Sequence, residues 1–135
     1  MSQYTPTWKV WLQKANTDLL AAQLMLNQNN DRLLEISVYH SQQTAEKAIK
    51  GFLTYHKLRF GKTHIIRELV DLIEKLNPAF AEVLRPADQL SIYAIAFRYP
   101  EETQDQIPLN RTTAENAFKI ASWALKEVQA KLPSE

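Results

Sequence analysis

The stretch "YHSQQTAEKAIKGFL", residues 39–53, decides the fold. Val38, Ala45, Ala48, Ile49, Phe52 and Tyr55 recur at helical spacing, with no Gly or Pro before Gly51, so the chain here is read as a helix over about residues 32 to 57. The stretch also opens on a histidine, a serine, two adjacent glutamines and a threonine. Gln43, Glu46, Lys47 and Lys50, at spacings of three and four, form a polar face beside the apolar one, and Glu46 with Lys50 makes a favourable i, i+4 pair. Two readings stand. The face is a solvated one whose exposed ion pair contributes a few tenths of a kcal/mol, or its amides have defined partners, because a buried orphaned amide costs roughly 1–3 kcal/mol.

Outward from this helix the same period recurs. On the N-terminal side Trp8, Leu12, Ala15, Leu19, Ala22 and Leu26 mark a helix from about Pro6 to Asn27, closed by "NQNND", where Asp31 is available to cap the next helix. On the C-terminal side Gly61 and Thr63 mark a turn and a cap. Ile65, Ile66, Leu69, Val70, Ile73 and Leu76 then give a shorter helix that ends before Asn77-Pro78. A short helical turn is expected over 79–84, and Pro86 suits the first turn of a fourth helix carrying Leu90, Tyr93, Ala94 and Phe97. "PEETQDQIPLNR", residues 100–111, reads as a loop that is long for a bundle connection. Thr112 and Glu115 have the spacing of a capping box, opening a last helix with Ala114, Ala117, Phe118, Ala121, Leu125, Val128 and Leu132 inside. The fold class is all-α: one domain over residues 1–135, an up-and-down bundle of about four to five helices.

Composition narrows the function. The 16 basic and 15 acidic residues nearly cancel, so nucleic-acid or lipid binding requires a local patch. The absence of cysteine removes disulfides, thiolate catalysis and Cys-ligated zinc. "MSQYTPTWKVW" lacks a basic start followed by an apolar core, and no apolar run approaches the roughly 18 residues of a membrane span, so a soluble, cytoplasmic protein without membrane contact is expected. His40 and His56 are sixteen residues apart on one helix, about 24 Å along its axis, which argues against a shared metal; neither a metal nor a cofactor is expected. Trp8, Trp11 and Trp123 are read as core or interface anchors.

"QQTAEKAIKGFL" at 42–53, "KTHIIREL" at 62–69 and "FRYP" at 97–100, in this order and spacing, resemble the HEPN domain of bacteria and archaea. The likeness runs from Trp8 and "ANTDLLAAQ" to the last helix. It implies a bundle of helices that is usually dimeric and often encoded beside a minimal nucleotidyltransferase as a toxin and antitoxin pair. It also implies one of three roles: nucleotide binder, ribonuclease, or noncatalytic binding module. Under it Gln42, Gln43, Glu46 and Lys50 become an interface or cleft surface.

HEPN ribonucleases pair an arginine with a histidine a few residues later. The imidazole takes the proton of an attacking 2′-hydroxyl and the guanidinium stabilises the charge that builds on phosphorus. The resemblance places Arg98 at the arginine position, but "YPEETQDQ" follows it and supplies no histidine, while Glu101, Glu102 and Asp105 repel a phosphate. The implied role is therefore a noncatalytic nucleotide- or RNA-binding subunit. The alternatives are a divergent ribonuclease using Arg98 with His40, His56 or His64, and a structural interaction module. Arg59 and His64 also match the motif spacing, though in another loop.

Arg98 either complements its helix dipole or binds phosphate, with Tyr99 or Tyr93 stacking on a base. Gly61, Lys62, Thr63 and His64 either form an ordinary helix start or cradle an anion. The candidate ligand-binding residues are thus Arg98, Tyr99, Tyr93, Lys62 and His64, with Arg98 and His64 as the weak catalytic candidates.

Overall fold

The computed structural model describes residues 4–99, 101 and 109–134. The long helices α1 (Thr7–Leu26) and α2 (Arg32–Tyr55) form an antiparallel pair. Ser37 Oγ donates to the Ala22 carbonyl at one end of this pair, and Gly51 faces Leu12 and Trp8 at the other. A Cβ on Gly51 would lie 3.1 Å from Leu12 Cδ2 and 3.3 Å from the Trp8 carbonyl oxygen, so glycine here permits close approach of the two backbones. After α2 come α3 (Ile66–Leu76), α4 (Pro78–Leu84), a 3₁₀ segment (Arg85–Leu90) and α5 (Ser91–Arg98), which together make a jointed third arm. The last helix, α6 (Arg111–Ala130), runs antiparallel to α1: Arg111 donates to the Leu26 and Gln28 carbonyls at its start, and Gln129 lines a groove with Trp8 at its end.

The arms close on a core of Leu34, Val38, Ile49, Phe52, Leu53, Ile66, Leu69, Ile73, Phe80, Leu84, Leu125 and Val128. The fold is all-α, as the periodicity required. Ala15, Ala22, Ala45, Ala48, Ala117, Ala121 and Ala124 are buried where helices meet, the small side chains that let long helices pack closely.

The helix caps differ from the sequence expectation. Asp31 stands just before α2 with helix-like backbone angles, and its side chain caps nothing; Asn30 Oδ1 accepts from the Arg32 N–H instead. The Thr112–Glu115 capping box does not form, because α6 already starts at Arg111 with Asn110 in extended conformation, its side chain accepting from the Thr113 N–H at 2.9 Å. Pro86 does not begin a fourth α-helix: it lies in the 3₁₀ segment, and α5 starts at Ser91. The loop expected over 100–111 lies largely outside the described residues. No helix among the described residues is long and apolar enough to cross a membrane.

Candidate functional site

The polar residues of α2 are enclosed. Gln42 and Gln43 are 0% and 8% exposed, and Glu46 and Lys50 are buried beside them. The α2–α3 loop and α1 cover this face and supply partners. Gln43 Nε2 donates to Gln42 Oε1 at 2.7 Å, and Gln42 Nε2 donates to Glu46 Oε1 at 2.8 Å. His64 Nδ1 reaches the same Glu46 oxygen at 3.0 Å, and Lys50 Nζ holds Glu46 Oε2 at 2.9 Å. Lys50 also lies 5.6 Å from the centre of the Trp11 ring and 5.7 Å from that of Phe60, two aromatic faces that suit a cation removed from water. Among the described residues, Ser41 Oγ is the one buried side-chain polar atom without a hydrogen-bond partner. The reading of this face as a solvated one is thereby corrected: the amides have partners within the subunit, and the ion pair is buried.

Burial by itself pushes the Glu46 carboxyl up, but hydrogen bonds from Gln42, Lys50 and His64 outweigh it and hold the group below the ordinary carboxylate range. Glu46 is therefore a charged hub. Around it two amides, an ammonium and an imidazole are fixed in place, and the His64 side chain remains 43% exposed.

A second buried carboxylate sits between α1 and α2. Asp18 accepts from Lys47 Nζ at 2.6 Å and faces His40 Nδ1 at 2.8 Å. Along α2, Tyr39 stands one turn before Gln43, and the Arg98 guanidinium from the end of α5 lies 6.0 Å from the centre of its ring. Arg98 is exposed, with no carboxylate partner among the described residues, and the adjacent Tyr99 is half exposed.

The structure thus joins His64 to Gln42, Gln43, Glu46 and Lys50, and sets Arg98 of α5 against Tyr39, two turns before Glu46 on α2. Tyr93 faces elsewhere: it lines a small cavity of about 260 Å³ with Thr113, Asn116 and Ile120 of α6, and burial raises its hydroxyl pKa. Lys62 is exposed beside a shallow cavity of about 390 Å³ that also contains Glu68. Beside the anion cradle expected over 61–64, the first N–H groups of α3 are already taken, and within it the Thr63 N–H donates to the Gly61 carbonyl. Thr63 Oγ1 takes the Ile65 N–H, Ser91 Oγ that of Ile66, and Asp88 Oδ1 that of Arg67. Arg59 is exposed, whereas the imidazole of His64 is held by Glu46. His56 packs at 4.4 Å against the Phe52 ring. Trp8 meets Tyr55 edge-on at 5.2 Å, and Trp11 meets Phe60 at 6.3 Å, both as aromatic anchors. Among the described residues no three His, Asp or Glu are grouped so as to hold a metal ion.

What the sequence reading missed is the Asp18–Lys47–His40 cluster. Asp18 was legible only as the one charged residue in the run from Ala15 to Leu26, and its partners are 22 and 29 residues away.

Against models of protein families, residues 8–131 match the HEPN domain. The chain belongs to the HEPN domain family. HEPN domains are nucleotide- or RNA-binding or nuclease-type modules, and they often dimerise. No curated protein and no solved structure matches this HEPN chain.

Proposed function

We propose that this HEPN protein is a nucleotide- or RNA-binding subunit, dimeric and cytoplasmic, that works beside a minimal nucleotidyltransferase in a toxin–antitoxin type pair. The observation that carries the reading is Arg98: an exposed guanidinium over the Tyr39 ring, without a carboxylate among the described residues to neutralise it. Such a cation is available to a phosphate, and the exposed Tyr99 ring beside it is available to a base. Lys62 and His64 extend the ligand surface towards the α2–α3 loop.

The absence of a histidine in "YPEETQDQ" after Arg98 supports binding over cleavage, and so does the spacing of two of the anchors. This holds for the pair of Arg98 and His64: Arg98 rests on Tyr39 and His64 on Glu46, positions about 10 Å apart along α2. Cleavage needs the base and the guanidinium at one phosphate. Gln42 and Gln43 lie between these anchors, and with Glu46 and Lys50 they stiffen the interface or cleft surface that the sequence suggested.

A melting scan of the purified protein with ATP, other nucleotides and short single-stranded RNA tests this. At a ligand concentration a hundred times Kd, binding adds about 2.7 kcal/mol of apparent stability. A shift that disappears in Arg98→Ala, with the RNA intact on a gel, is the expected result. Cleaved RNA would turn the reading to a ribonuclease, and no shift with any ligand would leave an interaction module.

A further inference from the structure

The α2–α3 loop carries a charge asymmetry that the net charge of +1 hides. From Lys47 to Arg67 the sequence has no acidic residue, yet it holds six of the chain's 16 basic ones. Lys47 and Lys50 are taken up inside the fold by Asp18 and Glu46. Lys57, Arg59, Lys62 and Arg67 are exposed, with no carboxylate partner among the described residues. Asp71 and Glu74, the next acids of α3 after Glu68, are held by Arg85. Among these cations, between the loop and α3, lies the cavity of about 390 Å³. Leu69 in its lining is buried, Phe60 and Leu72 are half-buried, and Gly61, Lys62 and Glu68 are exposed. A Cβ on Gly61 would meet nothing within 4 Å, so the cavity is open on that side. Arg59 and Arg67 adjoin Phe60 and Glu68 in the chain, and neither Tyr39 nor Arg98 lines the cavity.

We propose that this cavity and its cations are a docking surface for an acidic segment of a partner protein, with one bulky apolar side chain seated in the cavity and flanking carboxylates on Arg59, Lys62 and Arg67. The surface is independent of the phosphate-binding role given to Arg98, and Lys62 stands at the edge of both. Charge complementarity sets the class of partner: unneutralised cations steer an acidic chain to the loop, and the apolar lining supplies an anchor point. A peptide suits the cavity better than a phosphate backbone does. A phosphodiester has no apolar side chain to place against Leu69 and Leu72, and the first N–H groups of α3 are already held by Thr63, Ser91 and Asp88. Phe60, the aromatic residue of the lining, already packs against Trp11 and faces the Lys50 ammonium, so it is not a free platform for a base.

The test is fluorescence anisotropy on the full chain with a fluorescein-labelled synthetic peptide, a central leucine flanked by three glutamates on each side. The same peptide with a central alanine and an oligothymidylate of equal charge serve as comparisons. The leucine peptide is expected to bind about tenfold tighter than the alanine peptide, and added salt weakens both. Arg59→Glu and Arg67→Glu each weaken the leucine peptide by about threefold or more. Gly61→Leu places a side chain in the open space and removes the difference between the two peptides. All three positions are exposed, so these variants keep the fold. Arg98→Ala leaves the peptide affinity unchanged, whatever it does to nucleotide binding, so the two surfaces fail or stand separately. No binding of either peptide, equal affinity for both in wild type, or insensitivity to Arg59→Glu and Arg67→Glu overturns the inference. An oligothymidylate that binds as tightly as the leucine peptide and is lost in Arg59→Glu also overturns it, because the loop then serves nucleic acid.

Discussion

Lys50 Nζ and Glu46 Oε2 meet at 2.9 Å, one turn apart on α2, with their side chains only 9% and 4% exposed. The i, i+4 pair that elsewhere decorates a wet helix surface is here a buried contact, where the loss of one partner strands the other. Glu46 also receives Gln42 and His64, whereas among the described residues Lys50 hydrogen-bonds to Glu46 alone. Glu46→Leu is therefore expected to cost about 3–5 kcal/mol, and Lys50→Met less. Urea unfolding midpoints of the two variants give the order; a Lys50→Met variant the less stable of the two contradicts it.

The same hub sets a pH dependence. Glu46 is held below the ordinary carboxylate range in the folded protein, so the unfolded chain binds its proton more readily. The stabilisation is fully present above the unfolded pKa, and it is lost as pH falls from there through the depressed folded value. Stability measured by denaturant between about pH 6 and pH 3 should decline, and the decline should be shallower in Glu46→Gln.

Lys57, at φ 59°, occupies the left-handed region where a side chain is strained. It ends α2 in the manner usually given to glycine, with the Leu58 N–H returning to the Leu53 carbonyl at 2.9 Å. Lys57→Gly should raise stability by about 1 kcal/mol, seen as a higher melting temperature, while Lys57→Ala, which retains a Cβ, should not.

Helix capping separates the residues that fit a motif from those that act. Asn110→Ala is expected to cost about 1 kcal/mol, because the side chain caps both the Thr113 N–H and its hydroxyl. Asp31→Ala and Thr112→Ala should each remain within about 0.5 kcal/mol of wild type. Thermal unfolding of the three variants distinguishes the observed caps from those the sequence suggested.

The long helices were legible because apolar periodicity is a local property: α1 and α2 start within one residue of the positions read from Trp8, Leu12, Val38 and Ile49. The ends were less so. Lys57 gave no glycine signal for the close of α2, and the Asn110 cap was hidden by the better-known Thr112–Glu115 spacing. Of the site, the α2 residues Gln42, Gln43, Glu46 and Lys50 stood out by composition, and His64 by its neighbouring Thr63. That Glu46 joins them to His64 depends on how the α2–α3 loop folds back, which no spacing encodes. Asp18 and His40 meet only after α1 and α2 pair, so chemistry assembled across a tertiary contact stayed out of sight.

The N-terminus of α3 is satisfied by Ser91 and Asp88, 25 and 21 residues downstream of the N–H groups they accept. A ribosome adds residues from the N-terminus onward, so α3 leaves the exit tunnel with its first turn still unanchored. Until the segment bearing Asp88 and Ser91 has emerged, the nascent α3 can only fray at that end. The third arm of the bundle should thus set as one piece late in synthesis, after α1 and α2 have already been able to pair.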